Sequence, residues 1–291
     1  MIKNNFSSIR ERTISCSGLE INYIDEGSGP VLLFIHNGGG FWQIWINQIL
    51  FFKDSFRTIA LDLPGFGKSQ EADTPYDLGF NSSIVIEFCK KLDINRLTII
   101  GNCIGATIGI YLKKTFPEMI DRLILSNICP GERLIRNRLM KFLILRTSNK
   151  RFKEVLGKVM GYLATRTILR KRFPAILFGN KPDKSDPLFL KYEAKFKTSK
   201  QTRSRINLLF ASGSYTLANI IKSGPDISKS LLIWGQCNKV APLKREAEYH
   251  RHICGIEQIN LIQGGGHLAV YERPDEVNNL ILQNLKSDYE Y

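Results

Sequence analysis

Apolar residues along this chain fall into two kinds of run. Short, nearly unbroken blocks occur at Val31–Ile35, Arg57–Leu61, Leu97–Ile100, Arg122–Leu125, Leu231–Trp234 and Gln258–Ile262. Such blocks suit strands buried on both faces, because a parallel sheet covered by helices has no solvent side. Between them stand segments with apolar residues three and four apart. Ile84, Phe88 and Leu92 form one such set, with Val85 and Cys89 alongside, and Val277–Leu285 after Pro274 form another. That spacing is one face of a helix. Residues 9–26 differ: they read as two short strands turning at Ser17-Gly18 and closed by Gly27-Ser28-Gly29-Pro30. Strands alternating with helices predict an α/β fold with a mostly parallel central sheet.

From Pro130 the texture changes. Ile135, Leu139, Phe142 and Leu143 repeat at helical spacing, as do Phe152, Leu156, Val159 and Leu163. Asp186-Pro187 reads as an N-cap followed by proline at the first helical position, opening Leu188–Lys197. Strand signals resume only near Leu231. The pattern predicts a helical cap, residues 130–220, inserted into a core made of residues 1–129 and 221–291.

Composition adds little until charge is located. With 43% apolar and 23% charged residues over 291 positions, the chain is an ordinary soluble globular protein, long enough for one large domain with an insertion. The net charge of +14 is uneven: residues 131–206 hold 21 Lys/Arg against 5 Asp/Glu, and the remainder is close to neutral. A basic cap steers anionic partners. Candidates are an acyl thioester of coenzyme A or of an acidic acyl carrier protein, or an anionic membrane surface under basic amphipathic helices; a solvated lid would carry the same charges. Nucleic acid is not expected, since the basic residues fall on apolar-faced helices without a binding motif. Six cysteines without a C-x-x-C pair and only four histidines give no support to a metal site, and no cofactor is expected. The stretch MIKNNFSSIRERTI lacks an apolar signal core, so a cytoplasmic protein with reduced thiols is expected.

The chemistry-bearing stretch is Thr98–Ala106, TIIGNCIGA. An apolar strand runs into Gly101-Asn102-Cys103-Ile104-Gly105, and a helical segment follows at once. This is the strand–turn–helix pattern G-x-S-x-G with cysteine at the apex. Glycines flank a strained apex because a Cβ on either side would meet the neighbouring strand or helix. On these residues alone two readings stand: a nucleophile, or a small buried thiol at a strand–helix junction.

Four further segments stand in order around it. Val31–Gly40 is a strand ending in His36-Asn37-Gly38-Gly39-Gly40. Asp62–Ser69 reads DLPGFGKS, residues 231–242 read LLIWGQCNKVAP, and residues 264–277 read GGGHLAVYERPDEV. Together with GNCIGA these resemble the α/β-hydrolase superfamily in its capped branch, over nearly all of residues 15–288. The resemblance implies a nucleophile at Cys103, a catalytic imidazole at His267, and the third triad member at Asn238. It also implies an oxyanion hole from the backbone N–H groups of Ile104 and of the His36–Gly40 loop, at Gly38. His36 takes a structural role, and Asp62 braces its loop. Epoxide hydrolases and haloalkane dehalogenases of this fold use aspartate at the elbow, so Cys103 excludes their chemistry.

Three positions depart from the family pattern: Cys103 for serine, Asn238 for an acid, and Asn37 for glycine. The alternative acid position, Asn127, carries no carboxylate either. A serine triad with an amide in place of its acid would turn over poorly. A cysteine changes the chemistry. A helix N-terminus and a nearby imidazole lower its pKa, so thiolate and imidazolium can exist as a pair, and an Asn has only to orient the ring. The expected function is therefore a hydrolase or acyltransferase acting on an ester, thioester or lactone through an acyl-Cys103 intermediate. The alternative is a non-catalytic relative that binds a ligand in the same pocket. Asn37, Trp42 and Asn127 are expected to line that pocket. Phe41 and Trp45 suit either the pocket mouth or the core. Cys129 and Cys237 are expected to be inert packing, and His250 and His252 surface residues.

Overall fold

The apolar blocks become the middle of one sheet. The computed structural model describes residues 9–135, 138–142, 152, 155–156, 159, 162, 174–195, 199–221 and 227–286. Among these, eight strands pair in the order β1-β2-β4-β3-β5-β6-β7-β8. They are β1 (Glu11–Cys16), β2 (Leu19–Glu26), β3 (Val31–Ile35), β4 (Arg57–Leu61), β5 (Leu97–Asn102), β6 (Ile120–Ser126), β7 (Leu231–Gly235) and β8 (Asn260–Ile262). β2 is antiparallel to both β1 and β4, and the remaining pairs are parallel. Ser17 and Gly18 both take positive φ, 48° and 76°, as the expected hairpin turn requires.

Alternation along the strands supplies two cores. Leu33, Ile35 and Ile99 enter one cluster with Ile84 and Phe88 of α2 (Leu78–Lys91) and Ile108 of α3 (Ile104–Thr115). Leu32, Phe34 and Ile100 enter the other with Ile49 of α1 (Ile46–Phe52). Successive side chains of a strand point to opposite faces, so a sheet with helices on both sides needs an unbroken apolar run. β5 is the extreme case, buried at every position. Each such Ile or Leu contributes about 1.5–3 kcal/mol by leaving water. α2 starts at Leu78, before the apolar set that opens at Ile84, because Asp77 caps it: the Asp77 carboxylate accepts the Phe80 N–H at 2.8 Å.

A helical cap enters between β6 and β7. Its α4 (Pro187–Lys195) begins as expected, with the Phe189 N–H donating to Asp186 Oδ1 at 2.9 Å and Pro187 at the first position. α5 (Ser199–Phe210) follows and lies against the loop after β3, where Arg205 Nη2 donates to the Gly39 carbonyl at 3.1 Å. The helix expected from Arg133 does not start there: Gly131–Leu134 is a 3-10 turn that ends at extended Ile135, and Arg138–Lys141 is helical. Most of the helix expected over 152–163 lies outside the described residues. The remaining helices used below are α6 (Glu248–Cys254) and α7 (Pro274–Lys286), which adds Val277 and Ile281 to the second core. Among the described residues no helix is long and apolar enough to cross a membrane.

Candidate active site

β5 passes into α3 through Cys103, which adopts φ 57° and ψ −112°. A non-glycine residue held there costs about 1–3 kcal/mol, so the surroundings must enforce it. They do. The Cys103 N–H donates to the Ser126 carbonyl at 2.9 Å, and the Cys103 carbonyl accepts the Thr107 N–H at 3.2 Å. A Cβ on Gly101 would run into the Gly105 backbone, and one on Gly105 into the Ile35 carbonyl. Small flanking residues therefore let β3, β5 and α3 converge and leave the Cys103 sulfur at the N-terminus of a 12-residue helix. That end of a helix favours a negative charge.

Three groups act on the ionisation of the Cys103 sulfur. The Cys129 thiol is the strongest influence, followed by the charge and hydrogen bond of His267 and by the Gly38 N–H. Together they overcome burial and hold the Cys103 pKa well below the ordinary thiol range. The Cys129 thiol moves the opposite way, well above that range, through its bond to Cys103 and its own burial. Its sulfur also accepts the Gly131 N–H at 3.4 Å. The Ile104 N–H opens α3 and so has no intrahelical acceptor. It follows Cys103 directly in the chain.

Cys129 packs in the first core, as expected from sequence, and its thiol also acts on Cys103. β6 runs parallel to β5 with Ser126 opposite Asn102. A residue three positions beyond the end of β6 therefore comes level with the elbow. The offset from the strand end was the available signal.

His267 is held by its main chain. Asn102 Nδ2 donates to the His267 carbonyl at 3.0 Å and Asn127 Nδ2 to the same oxygen at 3.2 Å. Its Nδ1 is buried and has no hydrogen-bond partner among the described residues. The orienting contact expected from Asn238 is absent. Asn238 Oδ1 accepts the N–H groups of Val240 and Ala241, both at 3.0 Å, and its Nδ2 donates to Asn127 Oδ1 at 3.0 Å. A side chain so engaged braces its own loop, and its oxygen has both acceptor sites filled, so it accepts nothing from the imidazole. Asn127 likewise lines no pocket: it is fully buried, and its Oδ1 also accepts the Gly235 N–H at 3.0 Å. This amide ties the ends of β6 and β7 to the histidine loop. Glu272, also unforeseen, accepts the N–H groups of Gly266 at 2.7 Å and of cap residue Gly179 at 2.8 Å, while burial raises its pKa.

Trp42 is core, not pocket. It is fully buried in the second cluster, and its indole N–H donates to Glu11 Oε1 at 3.3 Å. Phe41 and Trp45 are buried in the same cluster. Asn37 belongs to a junction between core and cap: its Oδ1 accepts the Tyr192 hydroxyl of α4 at 3.1 Å. His36 sits between the Asn37 carbonyl at 2.7 Å and the Leu63 N–H at 2.9 Å, and burial lowers its pKa. An imidazole that accepts the Leu63 N–H is neutral and structural. Asp62 accepts the N–H groups of Trp42 and Lys68 at 2.7 and 2.9 Å and so fixes its loop. His252 is exposed and Cys237 half-buried. His250, expected at the surface, is buried: it stacks on Trp234 at 5.8 Å, with Nδ1 2.6 Å from the Glu246 carbonyl and Nε2 3.2 Å from the Cys129 carbonyl.

The cap covers the site. Cys103 is 7% exposed and His267 1%. Leu208 of α5 lies 2.7 Å from where a Cβ of Gly38 would stand. Two cavities, of about 410 and 750 Å³, lie elsewhere, and no site residue lines either of them.

A family model described as alpha/beta hydrolase fold matches residues 30–274. Among curated proteins, the 2-hydroxy-6-oxo-6-(2'-aminophenyl)hexa-2,4-dienoic acid hydrolase of Metapseudomonas resinovorans is 28% identical over 123 residues. That match spans 41% of this chain and 42% of that protein, so it covers less than half of either. Epoxide hydrolase 4 of Mus musculus is 23% identical over 94% of this chain and 79% of its own length. Among solved structures, a bacterial membrane phospholipase A superposes with a TM-score of 0.77 at 20% identity, covering 100% of this chain and 90% of that one. At that identity the likeness shows the fold alone.

Proposed function

We propose, for a chain that belongs to the alpha/beta hydrolase fold family and is an enzyme of that hydrolase type, acyl transfer through a Cys103 thioester. The observation that carries this reading is the strained elbow that holds Cys103 at the N-terminus of α3, supported by the lowered pKa of its thiol. The thiolate attacks the carbonyl carbon of an ester, thioester or lactone. A C–S bond forms, and the carbonyl electron pair moves onto oxygen, where the N–H groups of Gly38 and Ile104 receive it. Collapse expels the leaving group, which takes its proton from His267. Water or another acceptor, deprotonated by His267, then attacks the acyl carbon, and the C–S bond breaks to return the thiolate. An acid member is dispensable here. The thiolate already exists before substrate arrives, so His267 has only to move a proton to and from the leaving and entering groups.

Several similar proteins are named epoxide hydrolases, but thiol chemistry disfavours that reaction for this chain. A thiolate that opened an epoxide would be left as a thioether. That product has no acyl carbon for water to attack, so the enzyme would be alkylated once and stop. All six cysteines are free thiols, which fits the reducing, cytoplasmic setting proposed for it.

Incubation with an activated thioester, followed by intact mass measurement and peptide mapping, should show one acyl adduct on Cys103. An adduct on Cys237 or Cys129 alone, or none, would sink the assignment.

A second reading concerns where the enzyme works. The cap exposes Leu139 (66%), Phe142 (59%), Val155 (60%), Val159 (51%) and Tyr162 (59%) amid its basic surplus. This composition suits an anionic lipid surface. Co-sedimentation with phosphatidylserine vesicles should be strong in low salt and fall with added salt, and phosphatidylcholine vesicles should retain little protein. Equal retention on both lipids, or none on either, would remove this reading.

A further inference from the structure

The ring of His267 has no side-chain brace. Its Nδ1 is buried with no hydrogen-bond partner among the described residues, and Asn238, the residue expected to orient it, gives its oxygen to Val240 and Ala241. The main chain on both sides of the histidine is tied to the cap instead. After it, the Leu268 N–H donates to the Leu177 carbonyl at 3.1 Å. Before it, Glu272 accepts the Gly266 N–H on Oε2 at 2.7 Å and the Gly179 N–H on Oε1 at 2.8 Å. Backbones meet there with no side chain between them. A Cβ on Gly266 would run into the Gly179 nitrogen and the Phe178 carbonyl carbon, and one on Gly179 into the Gly264 carbonyl and the Gly266 nitrogen. Lys239, beside Asn238 in the chain, adds a further tie by donating to the Phe178 and Gly179 carbonyls at 3.4 and 3.2 Å.

Packing alone does not need a carboxylate here. Two N–H groups from separate segments, aimed at the two oxygens of one side chain, need a group that accepts at both ends, and an ionised carboxylate does. An amide accepts at one end only. Hydrogen bonds to a charged acceptor are also roughly twice as strong as neutral ones. Glu272 ends the one-turn helix Ala269–Glu272, so its bond to Gly266 closes the chain into a loop with His267 inside it. We propose that this clamp replaces the missing ring brace: Glu272 is a positioning residue that sets His267 through the backbone, and the imidazole is in place only while cap residues 177–179 are seated. This inference rests on the acyl-transfer reading for the role of His267.

Three variants test it. Glu272→Gln keeps the size and one accepting oxygen but sets an NH2 group against the second donor. Gly179→Ala unseats the cap segment and leaves Glu272 intact. Glu272→Asp keeps the charge and loses one methylene of reach. Single-turnover acylation of Cys103 by S-phenyl thiobutyrate is followed in each, together with the imidazole nitrogen resonances of isotopically labelled histidines, His267 being assigned through His267→Gln. The maximum acylation rate should fall by about 10–100-fold in Glu272→Gln and Gly179→Ala, with the half-saturating concentration within about twofold, and by less in Glu272→Asp. The His267 resonances should move in Glu272→Gln and Gly179→Ala while those of His36 and His250 stay. A lowered melting temperature with unchanged rate and His267 resonances would make the contact structural only and overturns the proposal. So does a loss in Glu272→Gln that Gly179→Ala does not share, since the cap would then have no part. Where a variant fails to fold, amide exchange in the unsubstituted protein decides: the Gly179, Gly266 and Leu268 amides should exchange slowly and in step, and unequal rates overturn the clamp. A parent that is not acylated, with His267 resonances that still move in both variants, sinks the nucleophile and spares the clamp. Acylation of the parent at a rate that no variant changes does the reverse.

Discussion

Replacing Cys103 by serine should abolish turnover rather than produce a serine hydrolase. We expect kcat/KM to fall by about 10³-fold or more, close to the loss in Cys103→Ala, with thermal stability little changed. The physical reason lies on the far side of His267. A serine hydroxyl is not ionised at neutral pH, so its proton must move to the imidazole during attack, and the imidazolium must then be stabilised. In serine triads a carboxylate does this, and exchanging it for an amide costs about 10⁴-fold in the reference case. Here the His267 Nδ1 is buried without a partner among the described residues, and Asn238 spends its oxygen on Val240 and Ala241. A cysteine avoids the problem because its lowered pKa spares the sulfur from giving up a proton during attack. Steady-state hydrolysis of a thioester substrate by the three proteins decides the matter. A Cys103→Ser enzyme within tenfold of the parent would mean that a serine can be activated at this elbow without an acid.

The framework of this site was legible in sequence because each part has a local cause. Strands buried on both faces must be apolar throughout, so β3, β4 and β5 announced themselves. The elbow showed through its glycines, which are there because Ile35 and Gly105 leave no room for a Cβ. What sequence hid is what depends on distant partners. An Asn side chain both donates and accepts, and in a loop the nearest backbone N–H groups compete for its oxygen. Asn238 therefore turned to Val240 and Ala241, not to the ring it was expected to hold. His250 looked like a surface residue because Trp234 and the Cys129 carbonyl, its real neighbours, come from other elements. Trp42 sits next to the His36–Gly40 loop in sequence yet packs into the second core. The cap's helical spacing was readable at α4, where an N-cap and a proline fix the start, but spacing does not say which cations turn inward. Arg205 and Lys195 do.

Cys129→Ala should shift the pH dependence of Cys103. The sign follows from the two thiols together. The Cys103 pKa is lowered and the Cys129 pKa raised, so over the range between them the pair shares one proton, carried mainly on Cys129. In the parent protein, alkylation of Cys103 by iodoacetamide should be near its plateau at neutral pH and decline only as acid protonates the thiolate. Removing the Cys129 thiol deletes the strongest of the three influences and leaves His267 and the Gly38 N–H. A hydrogen bond to a charged group is worth about 1.5–3 kcal/mol, so the midpoint of the alkylation curve should rise by about one to two pH units. Cys129→Ser keeps a donor in the same place and should return most of the way, which separates loss of the hydrogen bond from loss of volume. The same change has a stability counterpart. A thiol whose folded pKa is depressed stabilises the fold above its unfolded value, and that contribution fades as pH falls through the folded one. Cys129→Ala should therefore lose stability chiefly between the lowered folded value of Cys103 and the ordinary thiol range; above that range the raised pKa of Cys129 costs the parent stability that the variant no longer loses. An unchanged alkylation midpoint in Cys129→Ala would assign the thiolate to the helix end, His267 and Gly38 alone, and would return Cys129 to the packing role that its sequence position first suggested.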